Sequence, residues 1–338
     1  MGRHADGEVQ LSKRRLDYDE DDVRVRATGG SRPRTRRRPR HEDAAEGFVT
    51  AVDRGRYTCL VGETEVTAMK ARELGRKGVV VGDHVRLVGD VSGRPDTLAR
   101  IVRVQPRASV LRRSADDTDQ VERVIVANAD QMVIVAALAD PEPRPRLIDR
   151  CLVAAYDAGL DPLLCLTKAD LAAPGDLLAI YAPLDVPYVI TRKGDDDAVT
   201  ALAGDLNGRI SVLVGHSGVG KSTLVNALIP EAGRSVGAVN PVTGRGRHTS
   251  TSAIALPLAA PYTGWIIDTP GVRSFGLGHV APENVIGAFP DLEEGAATCP
   301  TGCTHLQPDC ALDAWTAGRP SGPARLESFR RLLRSRED

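Results

Sequence analysis

A glycine-rich segment between a strand-like run and a helix-like stretch constrains this fold more than any other feature of the sequence. The segment, Gly215-His216-Ser217-Gly218-Val219-Gly220-Lys221-Ser222, fits the pattern G-x-x-x-x-G-K-S in full. Residues 210–214 before it are mostly apolar, as in a buried parallel strand, and residues 222–228 after it are typical of a helix opening. Glycines let the backbone wrap closely around a phosphate, which then faces backbone amides and a helix N-terminus. The pattern predicts a phosphate-binding loop (P-loop) in an α/β domain, because an incidental glycine-rich turn would not need the strand and the helix.

Three residues at the end of the P-loop have expected roles. Lys221 would reach the β- and γ-phosphates of a nucleotide and assist catalysis there, and the Ser222 hydroxyl would coordinate Mg²⁺. Thr223 follows at the start of the helix. With the eight residues of the loop, it completes the predicted phosphate-binding set.

A second phosphate element follows at residues 265–271, where an apolar strand ends in the sequence D-T-P-G. Asp268 would hold the Mg²⁺ shell, and the Gly271 amide would sense the γ-phosphate. A lone D-x-x-G sequence is a common turn. Its position behind a P-loop and an apolar strand makes it a specific signal here.

The stretch between these two elements contains Gly246-Arg247-His248-Thr249-Ser250-Thr251 and shows no clear periodicity. We interpret it as a nucleotide-responsive loop in which a threonine completes the Mg²⁺ shell. Thr249 and Thr251 are both candidates, and the sequence does not choose between them. A solvated surface loop is the alternative.

Upstream of the P-loop, a strand-like run at residues 163–166 leads into Thr167-Lys168-Ala169-Asp170. The tetrapeptide is similar to the N-K-x-D motif with which GTPases read guanine, and a plain strand-to-helix turn is the alternative. Asp170 would accept hydrogen bonds from the guanine N1 and N2 groups, and the Lys168 stem would cover the base. Thr167 replaces the usual asparagine, so we expect one bridging hydrogen bond to be lost or altered. Ordinary GTPases carry this motif after the P-loop, so the order found here predicts a circularly permuted G domain.

A cluster of potential metal ligands lies near the C-terminus, with the spacing C-x3-C-x-H-x4-C. It consists of Cys299, Cys303, His305 and Cys310. Three thiolates and an imidazole suit tetrahedral Zn²⁺ in a closed structural site. A disulfide pair or a chance cluster are the alternatives. The sequence shows no signal peptide, so we expect a reducing, cytoplasmic setting that disfavours a disulfide. The other cysteines lie in apolar or strand-like surroundings and are expected to be buried: Cys59, Cys151 and Cys165.

The 338 residues suffice for two or more domains, and the formal net charge of −1 excludes a global electrostatic attraction to nucleic acid. Residues 1–44 are highly charged, with few apolar residues and an arginine-rich tract at 32–40, so we expect a disordered tail. The arginine tract would either bind RNA phosphates or act only as a solubilising segment. No stretch is long and apolar enough to span a membrane.

Residues 45–105 show about five short alternating segments joined by tight turns, which predicts a small barrel of the OB type. Its basic residues would face RNA or form an ordinary solvated surface.

Strands then alternate with helices over residues 106–290, as in a parallel α/β sheet. Residues 291–338 hold the cysteine cluster and an amphipathic basic helix at 324–334, which we expect to pack on the zinc module or to touch RNA.

In this order of elements, the chain resembles the RsgA (YjeQ) family of circularly permuted GTPases that act in small-ribosomal-subunit biogenesis. The resemblance covers residues 45–338 and implies a GTP hydrolase of low intrinsic activity that is stimulated by the small (30S) subunit. It implies binding of GTP/GDP, Mg²⁺ and one structural Zn²⁺, contacts with ribosomal RNA through the barrel and the zinc module, and a cytoplasmic monomer. Besides Thr167, the chain departs from the family in its added N-terminal tail and in its zinc spacing, where the family usually has C-x4-C-x-H-x5-C.

Hydrolysis needs a group that orients the attacking water, and many small GTPases place a glutamine directly after the D-x-x-G glycine. This chain has Val272 there. His248 is the best candidate in the sequence, and the family resemblance points to the same residue. The alternative is that His248 only structures its loop or contacts RNA.

Two other functions remain open from the sequence. One is a permuted GTPase for large-subunit assembly. The other is an RNA-binding adapter whose nucleotide site switches conformation with negligible turnover.

Overall fold

The computed structural model describes residues 41–75, 78–114, 122–230, 253–269, 275, 277 and 280–336. These residues form a β-barrel, an α/β domain and a helical C-terminal region, which confirms the predicted fold class. The predicted tail lies almost wholly outside the described residues. The domain boundaries at residues 44, 105 and 290 stay predictions.

The barrel consists of five strands: β1 (Ala45–Asp53), β2 (Arg56–Val61), β3 (Thr64–Lys70), β4 (His84–Gly89) and β5 (Ala99–Val104). They are ordered β1-β2-β3-β5-β4, and pairing of β1 with β4 closes the barrel. Strand β3 pairs with β5 in parallel, and the other pairs are antiparallel. Alternate side chains such as Val49, Cys59 and Ile101 point into a fully buried core. This arrangement has the strand number and closure of an OB-type barrel.

An antiparallel pair of strands, β6 (Val110–Ser114) and β7 (Glu122–Ala127), follows the barrel, and the sequence pattern did not predict it. An ion pair between Asp83 and Arg107 connects the barrel to the segment that leads into β6. Asp83 is fully buried, and Arg107 donates to both of its carboxylate oxygens at 2.7 and 2.8 Å.

The α/β domain contains the strands β8 (Gln131–Ala137), β9 (Asp161–Thr167), β10 (Tyr188–Ile190), β11 (Arg209–Val214), β12 (Ile254–Pro257) and β13 (Gly264–Asp268). Its helices are α1 (Pro145–Asp157), α2 (Gly175–Tyr181), α3 (Asp196–Leu206) and α4 (Lys221–Leu228). The strand order is β10-β9-β8-β11-β13-β12, parallel throughout except for β12. Every residue of β8 is buried, as expected for a central parallel strand covered on both faces.

The barrel and the α/β sheet are continuous. Strand β1 pairs with β12 through Ala51 and Ile254, so the eleven strands form one sheet. The Phe48 ring of β1 also lies 5.0 Å from the Trp265 ring of β13.

The C-terminal region consists of α5 (Pro282–Ile286), α6 (Pro290–Ala296), α7 (Ala311–Ala317) and α8 (Gly322–Arg334). The apolar face of α8, including Phe329, Leu332 and Leu333, is buried in the same core as α1. Arg331 of α8 forms an ion pair with the buried Asp149 of α1 at 3.0 Å. Of the two predicted roles of this helix, the structure therefore shows packing. None of the helices in the described residues combines the length and the apolar character needed to cross a membrane.

Candidate nucleotide site and metal centre

The predicted phosphate and base elements meet at one edge of the sheet. Strands β8, β9, β11 and β13 run in parallel, so their carboxyl ends lie side by side. Ala137 is paired with Thr167, and Leu213 is paired with Asp268. Loops that follow neighbouring parallel strands share one crevice, which is where α/β proteins bind ligands.

The P-loop backbone adopts conformations that only glycine tolerates well. Gly215 has φ +151°, and a Cβ atom there would lie 2.3 Å from the Val135 carbonyl oxygen. Gly220, directly before α4, has φ +97°. The loop can therefore lie close against β8 and turn sharply into the helix.

Lys221 and Asp268 are two charged groups in the part of the site where the phosphate elements meet. The Lys221 amine donates to the carbonyls of Gly215 and His216, the latter at 3.0 Å. Burial lowers the pKa of Lys221, and the Asp268 charge opposes this shift. Burial likewise raises the pKa of Asp268, while the Lys221 charge opposes it. Both charges are thus held partly out of water, which strengthens their interaction with a charged ligand.

The Oδ1 atom of Asp268 is buried and has no hydrogen-bond partner among the described residues. An unpaired buried carboxylate oxygen is costly unless a cation or another donor approaches it. Ser222 is exposed in the first turn of α4, directly after Lys221. Hard oxygen donors of this kind fit Mg²⁺.

The T-K-x-D motif is bonded to the P-loop. The hydroxyl of the buried Thr167 donates to the Val219 carbonyl at 2.6 Å. Lys168 has φ +61°, and its amine donates to the Asp140 carbonyl. The Asp170 side chain is exposed beside them, where a ligand can reach it.

The structure also brings a segment to the site that no sequence motif predicted. Thr191 directly follows β10, and its carbonyl accepts a hydrogen bond from the Ala169 amide at 3.2 Å. The loop of residues 191–193 therefore lies against the T-K-x-D motif. The only sequence signal was the short apolar run of residues 188–190, which is too short to show a periodicity.

Four predicted site residues lie outside the described residues: His248, Thr249, Thr251 and Gly271. Their roles stay predictions. The remaining P-loop residues, including Ser217, Gly218 and Thr223, lie at the predicted edge of the sheet, ahead of or within α4.

The predicted metal ligands converge into one compact group. The ligand atoms of Cys299, Cys303, His305 and Cys310 all lie within 4.8 Å of one another. Cys310 Sγ lies 3.8 Å from Cys299 Sγ and 3.6 Å from His305 Nδ1. Tetrahedral zinc with ordinary bond lengths would separate two sulfurs by about 3.8 Å and a sulfur from a nitrogen by about 3.6 Å.

The same distances contradict the disulfide alternative. A disulfide needs its sulfurs about 2.05 Å apart, whereas Cys299 Sγ and Cys310 Sγ are 3.8 Å apart. All six cysteines are free thiols. Cys59, Cys151 and Cys165 are buried as expected, and burial raises the pKa of each thiol to about 12, so they are unreactive core residues.

The ligand group is held by α7 and α8. Arg330 donates to the His305 carbonyl at 2.8 Å and forms a two-pronged ion pair with Asp313. The Phe329 ring lies 6.2 Å from the His305 ring. These contacts fix the ligand loop onto the helix that packs against α1.

Sequence comparison matches this chain to the RsgA GTPase family. The RsgA GTPase family model matches residues 104–278. A Pseudomonas putida protein, "Small ribosomal subunit biogenesis GTPase RsgA", is 44% identical over 244 residues, which cover 70% of this chain and 69% of that protein. A protein of the same name from Pseudomonas syringae pv. tomato is 38% identical over 291 residues, covering 81% of this chain and 82% of that protein.

Two solved structures share the fold. YjeQ from Thermotoga maritima superposes with a TM-score of 0.63 at 24% identity, covering 87% of this chain and 98% of that one. YloQ, described as a circularly permuted GTPase, superposes with a TM-score of 0.61 at 21% identity, covering 89% of this chain and 98% of that one.

Proposed function

Because the chain belongs to the RsgA GTPase family, we propose that it binds GTP, hydrolyses it to GDP and phosphate, and assists the late maturation of the small ribosomal subunit. One observation carries the proposal. The T-K-x-D motif, the P-loop and Asp268 meet at a single sheet edge although the first two are in reversed order along the chain. This geometry supports a G domain in which these three elements are brought together despite their permuted order.

We assign the phosphate end to the P-loop. Its amides and Lys221 hold the β- and γ-phosphates, and Ser222, Asp268 and either Thr249 or Thr251 hold Mg²⁺. When bound, Mg²⁺ neutralises charge on the phosphate oxygens. By its position in D-x-x-G, the Gly271 amide would contact the γ-phosphate.

At the base end, Asp170 reads guanine and the Lys168 stem covers the ring. Thr167 holds this motif against the P-loop through its bond to Val219. The loop of residues 191–193, which lies against this motif, forms a further part of the base site.

In the reaction, a water oxygen attacks the γ-phosphorus, and the bond from that phosphorus to the β–γ bridging oxygen breaks. We assign His248 to orient this water by accepting a hydrogen bond from one of its O–H groups, and the proton that the water loses goes to an oxygen of the released phosphate. Lys221 stabilises charge that builds up on the bridging and γ-phosphate oxygens.

The Cys3His group holds one structural Zn²⁺. The near-tetrahedral ligand spacing supports this metal, and the set of four protein ligands leaves no open position for chemistry. The barrel and the zinc module contact ribosomal RNA, and the protein acts as a cytoplasmic monomer.

Single-turnover GTP hydrolysis with and without small subunits tests the proposal. We expect slow hydrolysis alone and a faster rate with small subunits, together with co-sedimentation of the protein with small but not large subunits. Stimulation by large subunits instead would favour the role in large-subunit assembly. Binding to RNA with no hydrolysis under either condition would favour the adapter.

A further inference from the structure

Arg150 bonds to two distant parts of the chain at once. It lies on α1, half-buried, and one of its terminal nitrogens donates to the Phe275 carbonyl at 2.6 Å. The other donates to the Ser335 carbonyl at 3.0 Å. A guanidinium is planar and rigid, so both bonds can form only while the two carbonyls keep a fixed separation.

The two carbonyls belong to the nucleotide end and to the C-terminal end of the molecule. Phe275 comes four residues after Gly271 of the D-x-x-G motif and is only 1% exposed. Ser335 directly follows α8, where a cation is favoured by the negative end of the helix dipole. Arg150 is therefore a hydrogen-bonded link between the segment after D-x-x-G and the helix that holds the metal loop.

No carboxylate of the described residues forms an ion pair with Arg150, so these two carbonyls are the partners that the structure provides for its charge. Hydrogen bonds to a charged donor are stronger than neutral ones. A shift of either carbonyl would leave a half-buried charge less well satisfied. The two segments therefore have a physical reason to move together.

A second contact between α1 and α8 provides a matched control. Arg331 of α8 bonds to Asp149 of α1 and to the Ile180 carbonyl, and neither partner belongs to the segment after D-x-x-G. Loss of this contact would weaken the docking of α8 without touching Phe275.

We propose that Arg150 is a positioning residue that couples the nucleotide state at the D-x-x-G motif to the docking of the C-terminal helix α8. The proposal rests on the proposed function, because it requires a nucleotide site that distinguishes GTP from GDP. The coupling is reciprocal: a nucleotide that moves the Phe275 carbonyl changes the docking of α8, and a ligand of the C-terminal region changes the preference between nucleotides.

The test uses the full-length, zinc-loaded protein and compares Arg150→Met with Arg331→Met. For each variant, the dissociation constants of GDP and of a non-hydrolysable GTP analogue are measured, with thermal unfolding in parallel. We expect Arg150→Met to change the ratio of the two constants about fivefold or more. Arg331→Met should leave the ratio within about twofold of wild type, even where it lowers the unfolding temperature as much.

Hydrogen exchange of residues 322–336 gives a second readout that needs no variant. In the wild type we expect the protection of these amides to differ between the GDP-bound and analogue-bound protein, and the Arg150→Met variant should lose the difference. If Arg150→Met does not fold, Arg150→Lys takes its place, because lysine keeps the charge and loses the planar two-pronged geometry.

Equal protection in both nucleotide states of the wild type would overturn the inference. So would an unchanged ratio in Arg150→Met, or the same change in ratio in Arg331→Met. If the wild type binds neither nucleotide, the proposed function itself fails, and this inference fails with it.

Discussion

The Thr167 hydroxyl donates a hydrogen bond to the Val219 carbonyl at 2.6 Å, which joins two motifs that lie 52 residues apart in the sequence. The sequence predicted that a threonine in place of asparagine would lose or alter a bridging hydrogen bond. The structure shows that the shorter side chain still reaches the P-loop. A hydroxyl has one proton, so this bond uses the only donor of the Thr167 side chain.

Replacing Thr167 by valine tests this bond, because valine keeps the shape and removes the donor. Loss of one partner of a buried hydrogen bond costs about 1–3 kcal/mol. We expect the affinity for GDP to fall about tenfold, which corresponds to 1.4 kcal/mol. Fluorescence titration with labelled GDP measures the change. Thr167→Ser keeps the hydroxyl and serves as the control; a serine variant as weak as the valine variant would contradict this role.

The P-loop glycines differ in what an added methyl group would meet. A Cβ atom on Gly215 would lie 2.3 Å from a backbone oxygen of β8, whereas on Gly218 the nearest described neighbour would be Pro141 Cδ at 3.6 Å. Both have positive φ, so both alanine variants carry backbone strain. We expect Gly215→Ala to lose about 2 kcal/mol more stability than Gly218→Ala in urea unfolding without nucleotide. Equal losses would show that strain alone determines the cost.

Ionisation of Asp268 should lower the stability of the nucleotide-free protein. Burial raises the pKa of this carboxyl above its unfolded value, with Lys221 opposing. The folded state then binds the proton more readily, so the ionised carboxylate costs stability at neutral pH and the cost disappears as the pH falls below the unfolded pKa. We expect Asp268→Asn to gain on the order of 1 kcal/mol at pH 7 and nothing near pH 3.

Urea unfolding at both pH values measures this difference, and Asp313 provides a control of opposite sign. The hydrogen bond from Arg330 lowers the pKa of the Asp313 carboxyl, so Asp313→Asn should lose stability at pH 7 and the loss should vanish in acid. A destabilised Asp268→Asn variant at pH 7 would contradict the buried-charge argument.

Removal of the proposed zinc should loosen the C-terminal region. Cys303 is 7% exposed and belongs to the ligand group that is packed on α8. We expect Cys303→Ser to lose its stoichiometric zinc in metal analysis and to unfold about 5 °C or more below wild type, because metal binding free energy is folding free energy. Cys59→Ser changes another buried cysteine, in the barrel, and should keep the metal. Full zinc content in Cys303→Ser would refute the ligand assignment.

His248 should matter for turnover and not for binding. If its imidazole orients the attacking water, His248→Ala should lower the subunit-stimulated rate about 100-fold while GTP affinity stays within about threefold. Lys221→Ala, which removes a phosphate-binding group, should instead weaken GTP binding as well. A near wild-type stimulated rate in His248→Ala would refute the catalytic role.

The sequence predicted the elements whose signals are local. The P-loop, the buried strand before it and the metal cluster are each recognisable within about a dozen neighbouring residues, because spacing and periodicity are properties of a continuous segment. The short strands β10 and β12 and the hairpin of β6 and β7 were missed, since they are brief and are stabilised mainly by the strands beside them.

The sequence by itself determined the family and the α/β class with its barrel, and it predicted which residues bind phosphate, guanine and metal. Only the tertiary structure decided that Thr167 bonds to Val219, that Arg150 joins Phe275 to Ser335, and that α8 packs on α1. A local sequence pattern indicates which ligand or reaction a side chain suits. Which distant group it meets depends on strand order, side-chain direction and burial, and these are fixed only when the whole chain has folded.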